Sequence, residues 1–261
     1  MFIDTHTHYY DEAFASPQEA DEAIARAVAA GVGMMIQADV DSREREAMWA
    51  VGERHKGVLF PMAGLYPGSV GADWQEEIDR LLPYLDREEV VAVGEIGLDY
   101  HEGREFVREQ NEALRVQFEL AAERDLPVNI HLRDATEDFI RAVKDAAGLH
   151  LRGNLHCFGL SLESYREISR YGDWRVGIGG VVTFKNAGLA RTVADIPLER
   201  IVLETDCPYL APVPHRGHRC ESAMIPLIAA KIAEIKAIPV SEVEAVTTAS
   251  ALDLFQLRKH Q

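Results

Sequence analysis

The sequence predicts a TIM (β/α)8 barrel, an α/β fold in which eight parallel strands alternate with helices and close into a cylinder. Short apolar runs alternate with amphipathic segments along all 261 residues, as is typical of repeated strand–helix units. No linker, repeat or low-complexity stretch interrupts the pattern, and such barrels need about 250 residues. A doubly wound sheet is the main alternative, but no glycine-rich phosphate loop follows the first strand. We therefore expect one domain covering residues 1–261.

The eight strand candidates are short apolar runs, each followed by a polar or glycine-rich turn. In chain order they cover residues 1–4, 33–38, 59–65, 90–94, 127–130, 154–155, 174–178 and 201–203. The helix candidates are amphipathic segments covering residues 17–30, 42–55, 74–85, 104–124, 136–147, 162–171, 187–195, 221–235 and 241–257. Ser241 and, three residues later, Glu244 predict a capping box at the start of the last helix.

The composition is that of an ordinary soluble protein, with 47% hydrophobic residues and a mean hydropathy of −0.13. No apolar run approaches the roughly 18 to 20 residues of a membrane-spanning helix, and Asp4 stands where a signal peptide would be apolar. The three cysteines lack Cys-x-x-Cys spacing, which argues against a disulfide framework and fits a reducing compartment. We expect a cytoplasmic protein without a membrane partner.

The charge balance limits the partners that the surface can attract. The chain has 27 basic and 43 acidic residues, a net charge of −16, and therefore lacks the broad basic footprint of duplex-binding proteins. We expect no stable binding of duplex DNA. A strand end or a small phosphoester is more compatible with this charge, because bound cations could reverse the potential inside one cleft. We also expect a monomer.

Metal-binding residue types recur where the predicted strands end. The carboxyl ends of barrel strands meet at one rim, so residues that follow different strands become neighbours there. Each residue alone has a structural explanation, such as a half-buried histidine bonded to a carbonyl oxygen. Together they predict a metal centre, because burying several ionisable groups without a cation is costly. The residues are His6, His8, Glu95, His131, His156 and Asp206.

Six ligands exceed the needs of one tetrahedral ion and suit two ions that share a bridging carboxylate. Glu95, on the middle strand, is the natural bridge. Because the first and last strands are adjacent in a closed barrel, we expect one ion to be held with Glu95 by His6, His8 and Asp206. The other would be held with Glu95 by His131 and His156. These ligand types accept Zn, Mn, Mg, Ni or Fe, and the sequence does not choose among them.

The expected chemistry of such a centre is metal-assisted hydrolysis. Two ions lower the pKa of a water from about 15.7 toward roughly 7 and polarise a phosphoryl or carbonyl oxygen. Asp206 is expected to accept a proton from the attacking water, and Glu95 is the second catalytic candidate. Asp4 is expected to orient one of the imidazoles from behind.

Five motifs extend this pattern and follow one another from the first strand to the loop after the eighth. They lie at residues 4–8 (DTHTH), 94–100 (GEIGLDY), 130–135 (IHLRDA), 156–158 (HCF) and 204–210 (ETDCPYL). Together they resemble the TatD family of metal-dependent hydrolases. The resemblance implies a barrel of the amidohydrolase-like superfamily, divalent metal ions, and activity as a 3′-to-5′ deoxyribonuclease or broader phosphodiesterase. It also implies the same six metal ligands.

The sequence departs from the family pattern in two loops. Residues 64–68 read Gly-Leu-Tyr-Pro-Gly where many relatives carry Gly-x-His-Pro-His, and residues 215–222 follow the family only loosely. The first departure puts the substrate preference and the nuclease activity in question. Tyr66 could stack on a base or simply pack the loop. Arg133, Arg216 and Arg219 are candidates for binding a phosphate, and a solvated surface arginine is the alternative for each.

Three hypotheses follow. The first is a two-metal phosphodiesterase that acts on nucleic-acid ends or small phosphoesters. The second is a small-molecule amide or ester hydrolase of the same superfamily, although Glu95 stands where many such relatives use a carboxylated lysine. The third is a barrel that has lost catalysis and binds a partner, which the presence of all six ligands disfavours.

Overall fold

Eight parallel strands form the inner wall of a barrel in the computed structural model, which describes residues 1–101, 103–185 and 188–260. The predicted (β/α)8 fold is therefore confirmed. The strands are β1 (Phe2–Thr7), β2 (Val32–Gln37), β3 (Leu59–Pro61), β4 (Val93–Asp99), β5 (Val128–Arg133), β6 (Arg152–Leu155), β7 (Asp173–Ile178) and β8 (Ile201–Leu203).

The barrel closes at two seams. Within the described residues the strands form two hydrogen-bonded runs, β1-β2-β3 and β4-β5-β6-β7-β8. At the first seam, the Gly94 amide donates to the Ala63 carbonyl at 3.0 Å. At the second, the Asp206 amide donates to the His6 carbonyl at 3.1 Å, and the His8 amide donates to the Cys207 carbonyl at 2.7 Å. The second seam therefore brings the first and last strands together.

The helices pack around this wall. Phe139 on the fifth helix is fully buried, and its ring meets the edge of Trp174 on β7 at a centroid distance of 6.0 Å. Every residue of β4 is buried, as expected for a parallel strand covered on both faces. Among the described residues, no helix has both the length and the apolar character needed to cross a membrane. The helices are α1 (Pro17–Ala29), α2 (Arg45–Arg54), α3 (Trp74–Leu85), α4 (Val107–Glu123), α5 (Thr136–Asp145), α6 (Leu162–Ile168), α7 (Leu189–Asp195), α8 (Ile225–Lys236) and α9 (Val240–Leu254).

Several predicted boundaries differ from the structure. β4 and β5 continue past their apolar runs, so Glu95 and His131 lie within strands rather than after them. The apolar pattern ends early because the barrel interior becomes polar near the rim. The backbone pairing of β4 with β5 nevertheless continues, with Gly97 opposite His131. β3 ends at Pro61 rather than at residue 65. The predicted helix 187–195 begins at Ala187, which lies outside the described residues, and α7 starts at Leu189.

The predicted capping box at the last helix is wrong. α9 starts at Val240, directly after Pro239, whose backbone is extended at φ −64° and ψ 146°. Ser241 therefore lies inside the first turn and makes no capping hydrogen bond as the N-cap residue. The Glu244 carboxylate instead accepts a hydrogen bond from the N-terminal ammonium group of Met1.

Candidate metal centre

The structure brings the six predicted ligands together at the carboxyl ends of the strands. His6 is in β1, Glu95 in β4 and His131 in β5. His8, His156 and Asp206 follow β1, β6 and β8. Four of the six are buried, and His131 and Asp206 are half-buried.

The Nε2 atoms of three histidines converge on the two carboxylates. His6 Nε2 lies 3.2 Å from Glu95 Oε2 and 3.8 Å from Asp206 Oδ1. His8 Nε2 lies 3.0 Å from His6 Nε2 and 3.6 Å from Asp206 Oδ1. His156 Nε2 lies 3.6 Å from Asp206 Oδ1, and its ring stacks on that of His6 at 3.4 Å between centroids.

Each of these three imidazoles is held from behind at Nδ1. His6 Nδ1 lies 2.9 Å from Asn129 Oδ1, an amide oxygen that can only accept a hydrogen bond. His156 Nδ1 lies 3.1 Å from the fully buried carboxylate of Glu204. In the neutral imidazoles the proton is therefore expected on Nδ1, so that the Nε2 atoms face the pocket, where a metal ion could bind them.

His8 is oriented in the same way by a hydroxyl group. Its Nδ1 lies 3.0 Å from the hydroxyl oxygen of Tyr10. That hydroxyl donates its own proton to the Ala38 carbonyl at 2.7 Å, so its oxygen can accept from His8. The Nε2 atom of His8 is therefore also available to a cation.

Asp4 does not orient an imidazole, so that expectation was wrong. Its carboxylate accepts hydrogen bonds from the His6 amide at 3.3 Å and from the Thr205 amide at 2.9 Å. It therefore supports the backbone at the seam between β1 and β8. The residues that hold the imidazoles, Asn129 and Glu204, were missed, although each is a polar residue at an apolar strand candidate, a signal that the sequence contains.

His131 is oriented differently from the other three histidines. Its Nδ1 lies 2.9 Å from Glu95 Oε1, and its Nε2 lies 2.7 Å from Asp99 Oδ2. Asp99 also accepts a hydrogen bond from the His101 amide at 2.8 Å. His131 therefore lies between two carboxylates and presents Nδ1 to the pocket. Sequence reasoning also missed Asp99.

Two groups of donor atoms in the described residues are close enough to hold an ion, with all atoms of a group within 4.8 Å of one another. One group is His6, His8 and Glu95, and the other is His6, His156 and Asp206. Asp206 Oδ1 lies 3.6 Å from the Nε2 atoms of both His8 and His156, so its carboxylate is within reach of either group. The predicted division of the ligands between two ions stays a prediction. The donor set, imidazole nitrogen and carboxylate oxygen, fits a divalent transition metal.

The pocket shifts the pKa of its own groups. Burial disfavours charge, yet His6 and His131 hold the pKa of Glu95 well below its usual range. Burial also lowers the pKa of the imidazoles, but Asp99 and Glu95 outweigh it and raise the pKa of His131 to about 9. Glu204 and Asp206 likewise raise that of His156 to about 10. Without a cation, these histidines hold the positive charge that the carboxylates require.

The predicted substrate-binding residues differ in their position and in their partners. The Tyr66 ring meets the edge of the His131 ring at 5.0 Å between centroids. A buried ion pair anchors the loop that carries Tyr66: Asp39 Oδ2 lies 2.6 Å from Arg45 Nε. The same oxygen accepts a hydrogen bond from the Gly64 amide at 3.1 Å. Tyr66 therefore stands at the edge of the pocket on a fixed loop.

The three candidate arginines also differ. Arg133 is exposed at the end of β5 and has no carboxylate partner within ion-pair distance among the described residues. Arg216 is exposed, with its guanidinium 4.5 Å from the ring centroid of Phe184. Arg219 is bound to Glu19 at 2.6 Å and to Glu221 at 3.2 Å. This network gives Arg219 a structural role, which competes with the predicted phosphate contact.

A family model described as TatD related DNase matches residues 3–256. The chain belongs to the TatD family. It is 35% identical to the uncharacterized metal-dependent hydrolase YabD of Bacillus subtilis, over 98% of this chain and 100% of that protein. It is also 35% identical to the 3′-5′ ssDNA/RNA exonuclease TatD of Cronobacter sakazakii, over 90% of this chain and 91% of that protein.

The structural comparison agrees with this family. The crystal structure of YJJV, a TatD homolog from Escherichia coli K12, has a TM-score of 0.88 and 26% identity, covering 98% of each chain. A TatD family hydrolase from Entamoeba histolytica has a TM-score of 0.83 and 97% coverage of each chain. As a TatD protein, the chain is a metal-dependent hydrolase that acts on ester bonds.

Metal binding to this TatD protein should strengthen as the pH rises. His131 and His156, with pKa values of about 9 and about 10 against an ordinary 6.5, hold protons at neutral pH that a cation must displace. Because the pKa values of His131 and His156 are raised on folding, protonation of the two imidazoles stabilises the metal-free fold fully below pH 6.5. This stabilisation is lost as the pH rises through 9 to 10. The increase in Tm caused by a fixed concentration of Mn²⁺ should therefore grow from about pH 6 to about pH 8. Thermal unfolding measures it, and a pH-independent increase would contradict the prediction.

Proposed function

We propose that this TatD protein is a phosphodiesterase that removes nucleotides from the 3′ end of single-stranded nucleic acid. The observation that carries the proposal is the convergence of three oriented Nε2 atoms and two carboxylates at one rim. The relative from Cronobacter sakazakii that is named a 3′-5′ ssDNA/RNA exonuclease supports this substrate class. We further propose that the chain acts as a monomer and as one domain, residues 1–261.

In this proposal two divalent cations are held by the predicted ligands, His6, His8, Glu95, His131, His156 and Asp206. Such cations supply a Lewis acid for the phosphoryl oxygen and lower the pKa of the attacking water. Asp206 is half-buried, with Oδ1 3.6 Å from the Nε2 atoms of both His8 and His156, which keeps its pKa below the usual range despite burial. Its carboxylate is therefore ionised at neutral pH and can accept the proton of the attacking water.

The residues at the edge of the pocket would position the substrate. Arg133 lies two residues beyond His131 on β5, and its guanidinium, which has no carboxylate partner within the described ranges, can bind the phosphate that is cleaved. The Tyr66 ring, held edge-on to His131, can contact the terminal base. Buried Asn129 and Glu204 keep the imidazoles oriented throughout the reaction.

Metal removal and restoration test the proposal. After chelation, release of nucleotides from a 5′-labelled single-stranded DNA should fall at least a hundredfold, because the water loses its activating cation. Adding back Mn²⁺, Mg²⁺, Zn²⁺, Ni²⁺ or Fe²⁺ singly should restore a ladder of products shortened from the 3′ end with at least one of the metals. A 3′-phosphorylated strand is a control for recognition of the end.

The same assay separates the alternative hydrolase. If no metal supports nucleotide release or cleavage of a small phosphodiester, while a lactone or a cyclic amide is hydrolysed, the chain is a small-molecule hydrolase and the proposal is wrong. A chain that binds none of the five metals and gains no Tm from them would instead indicate a barrel without catalysis.

A further inference from the structure

Two adjoining loops at the rim contain no acidic residue, although the chain has 43 of them. They are residues 179–185, which follow β7, and residues 207–220, which follow β8. The basic residues there are Lys185, Arg216 and Arg219, and two histidines accompany them. At physiological salt, charges more than about 8 to 10 Å away are largely screened, so the local composition governs the approach of an anion. These loops therefore add no negative charge of their own. The acidic residues that border them are Asp11, which accepts from the Tyr209 hydroxyl, Asp206, and the Glu19 and Glu221 carboxylates paired with Arg219.

The same loops expose apolar side chains. Tyr209 is 51% exposed, Leu210 40% and Val213 48%. In the described part of the chain, these are three of only seven large hydrophobic residues with this degree of exposure, and they lie within five positions of one another. A concentration of apolar surface on an otherwise charged protein indicates a binding site rather than chance exposure. We call Phe184, Lys185, Tyr209, Leu210, Val213 and Arg216 the acid-free surface.

The acid-free surface is continuous with the metal centre. The Tyr209 amide donates to the Asp206 carbonyl at 2.7 Å, and the Tyr209 ring meets the His8 ring edge-on at 6.2 Å between centroids. The Tyr209 hydroxyl donates to the Asp11 carboxylate, so the half-exposed ring is held in place. The two loops are joined where the Val213 amide donates to Thr183 Oγ1 at 2.9 Å.

Arg216 is prepared to bind a phosphate on this surface. Its guanidinium is stacked on Phe184, 4.5 Å from the ring centroid, and has no carboxylate partner within ion-pair distance among the described residues. Stacking fixes the plane of the guanidinium and leaves the N–H groups at its edge available. Together with the Tyr209 ring, the surface pairs a site for a base with a site for a phosphate.

We propose that the acid-free surface binds the single strand that leads away from the cleaved bond, with a base stacked on Tyr209 and a backbone phosphate bound by Arg216. This inference rests on the proposed function. A single strand fits better than a protein or a membrane, because the exposed Tyr209 ring and the Arg216 guanidinium, which has no carboxylate partner in the described part of the chain, lie on one surface beside the pocket. The rim would then compensate locally for the net charge of −16.

The test compares a long and a short substrate. Arg216→Ala and Tyr209→Ala should each raise the KM for a 12-nucleotide single strand roughly tenfold, because each stacked or charged contact is worth about a factor of ten. Both variants should lose more kcat/KM on the 12-mer than on bis(p-nitrophenyl) phosphate, which has no strand leading away from the cleaved bond. Tyr209→Phe keeps the ring and should retain strand binding. Arg166→Ala, an exposed arginine on α6, is the matched control.

Binding is measured separately by fluorescence anisotropy with the labelled 12-mer at several salt concentrations. Arg216→Ala should lower the slope of log Kd against log salt by about 0.7, because one phosphate contact is lost. Arg166→Ala should leave the slope unchanged. Unchanged KM, Kd and salt slope would overturn the inference. Equal losses on both substrates, or a change in oligomeric mass, would also overturn it, in favour of a damaged pocket or a protein interface.

The failure of the proposed function would look different. If the wild-type protein hydrolyses neither substrate, the phosphodiesterase is wrong. The affinity for the labelled 12-mer still tests the inference, because the anisotropy measurement needs no catalysis. Loss of affinity in Arg216→Ala and Tyr209→Ala would support the surface, and unchanged affinity would reject it.

Discussion

Asp206→Asn is expected to lower kcat for a single-stranded substrate by about a thousandfold or more. The substitution keeps the size of the side chain but removes the proton acceptor, and general-base catalysis contributes about a hundredfold to ten-thousandfold. It also removes a donor atom from the group formed with His6 and His156. The measurement is kcat at saturating metal, with the bound metal counted on the same samples.

The metal count separates the two roles of Asp206. If the metal content is retained and kcat falls, Asp206 acts mainly as the base. If both fall, it acts mainly as a ligand. Asp79→Asn, an exposed carboxylate on α3, is the matched control and should stay within about twofold of wild type. A kcat for Asp206→Asn within tenfold of wild type would remove Asp206 from the proposed mechanism.

Gly97→Ala is expected to destabilise the fold more than other single substitutions near the site. Gly97 has φ +147°, a conformation that L residues rarely adopt, and a Cβ built there lies 1.9 Å from the His131 carbonyl oxygen. Because that atom belongs to the backbone of β5, relief would require moving the strand that carries His131. We expect a loss of about 3 to 5 kcal/mol in the free energy of unfolding.

For a chain of this size, that loss corresponds to a Tm roughly 10 °C lower. Thermal and chemical unfolding of the metal-free protein measure it. Gly148→Ala is the matched control, because Gly148 is exposed, does not have a positive φ, and a Cβ there meets nothing within 4 Å. A Gly97→Ala variant with the stability of Gly148→Ala would show that β5 can shift without cost.

A similar close approach occurs at Gly177 on β7. A Cβ at this position would lie 1.9 Å from Glu204 Oε2. The absent side chain therefore leaves the space in which the Glu204 carboxylate reaches His156 and accepts a hydrogen bond from the Cys157 amide at 2.5 Å. β7, which contributes none of the six predicted ligands, thus shapes the pocket by having a glycine.

Local patterns in the sequence were sufficient to predict the barrel and the residues that meet at its rim. Strand and helix periodicity depend on neighbouring residues, and the alternation of β and α elements forces the carboxyl ends of all strands to one side. The chemistry of His6, Glu95 and Asp206 was also predictable, because residue type alone determines which atoms can bind a cation. The choice of these positions required no contact information.

The orientation of each imidazole was decided only by the tertiary structure. The partner of His6 Nδ1 is Asn129, 123 residues away, and the partner of His156 Nδ1 is Glu204. Arg219 was one of three candidates for binding a phosphate, with a surface arginine as the alternative, and the structure pairs it with Glu19, 200 residues away. Sequence periodicity shows which face of a strand a residue occupies, but the ring nitrogen that faces the pocket depends on side chains from distant strands, whose contacts exist only after the barrel closes.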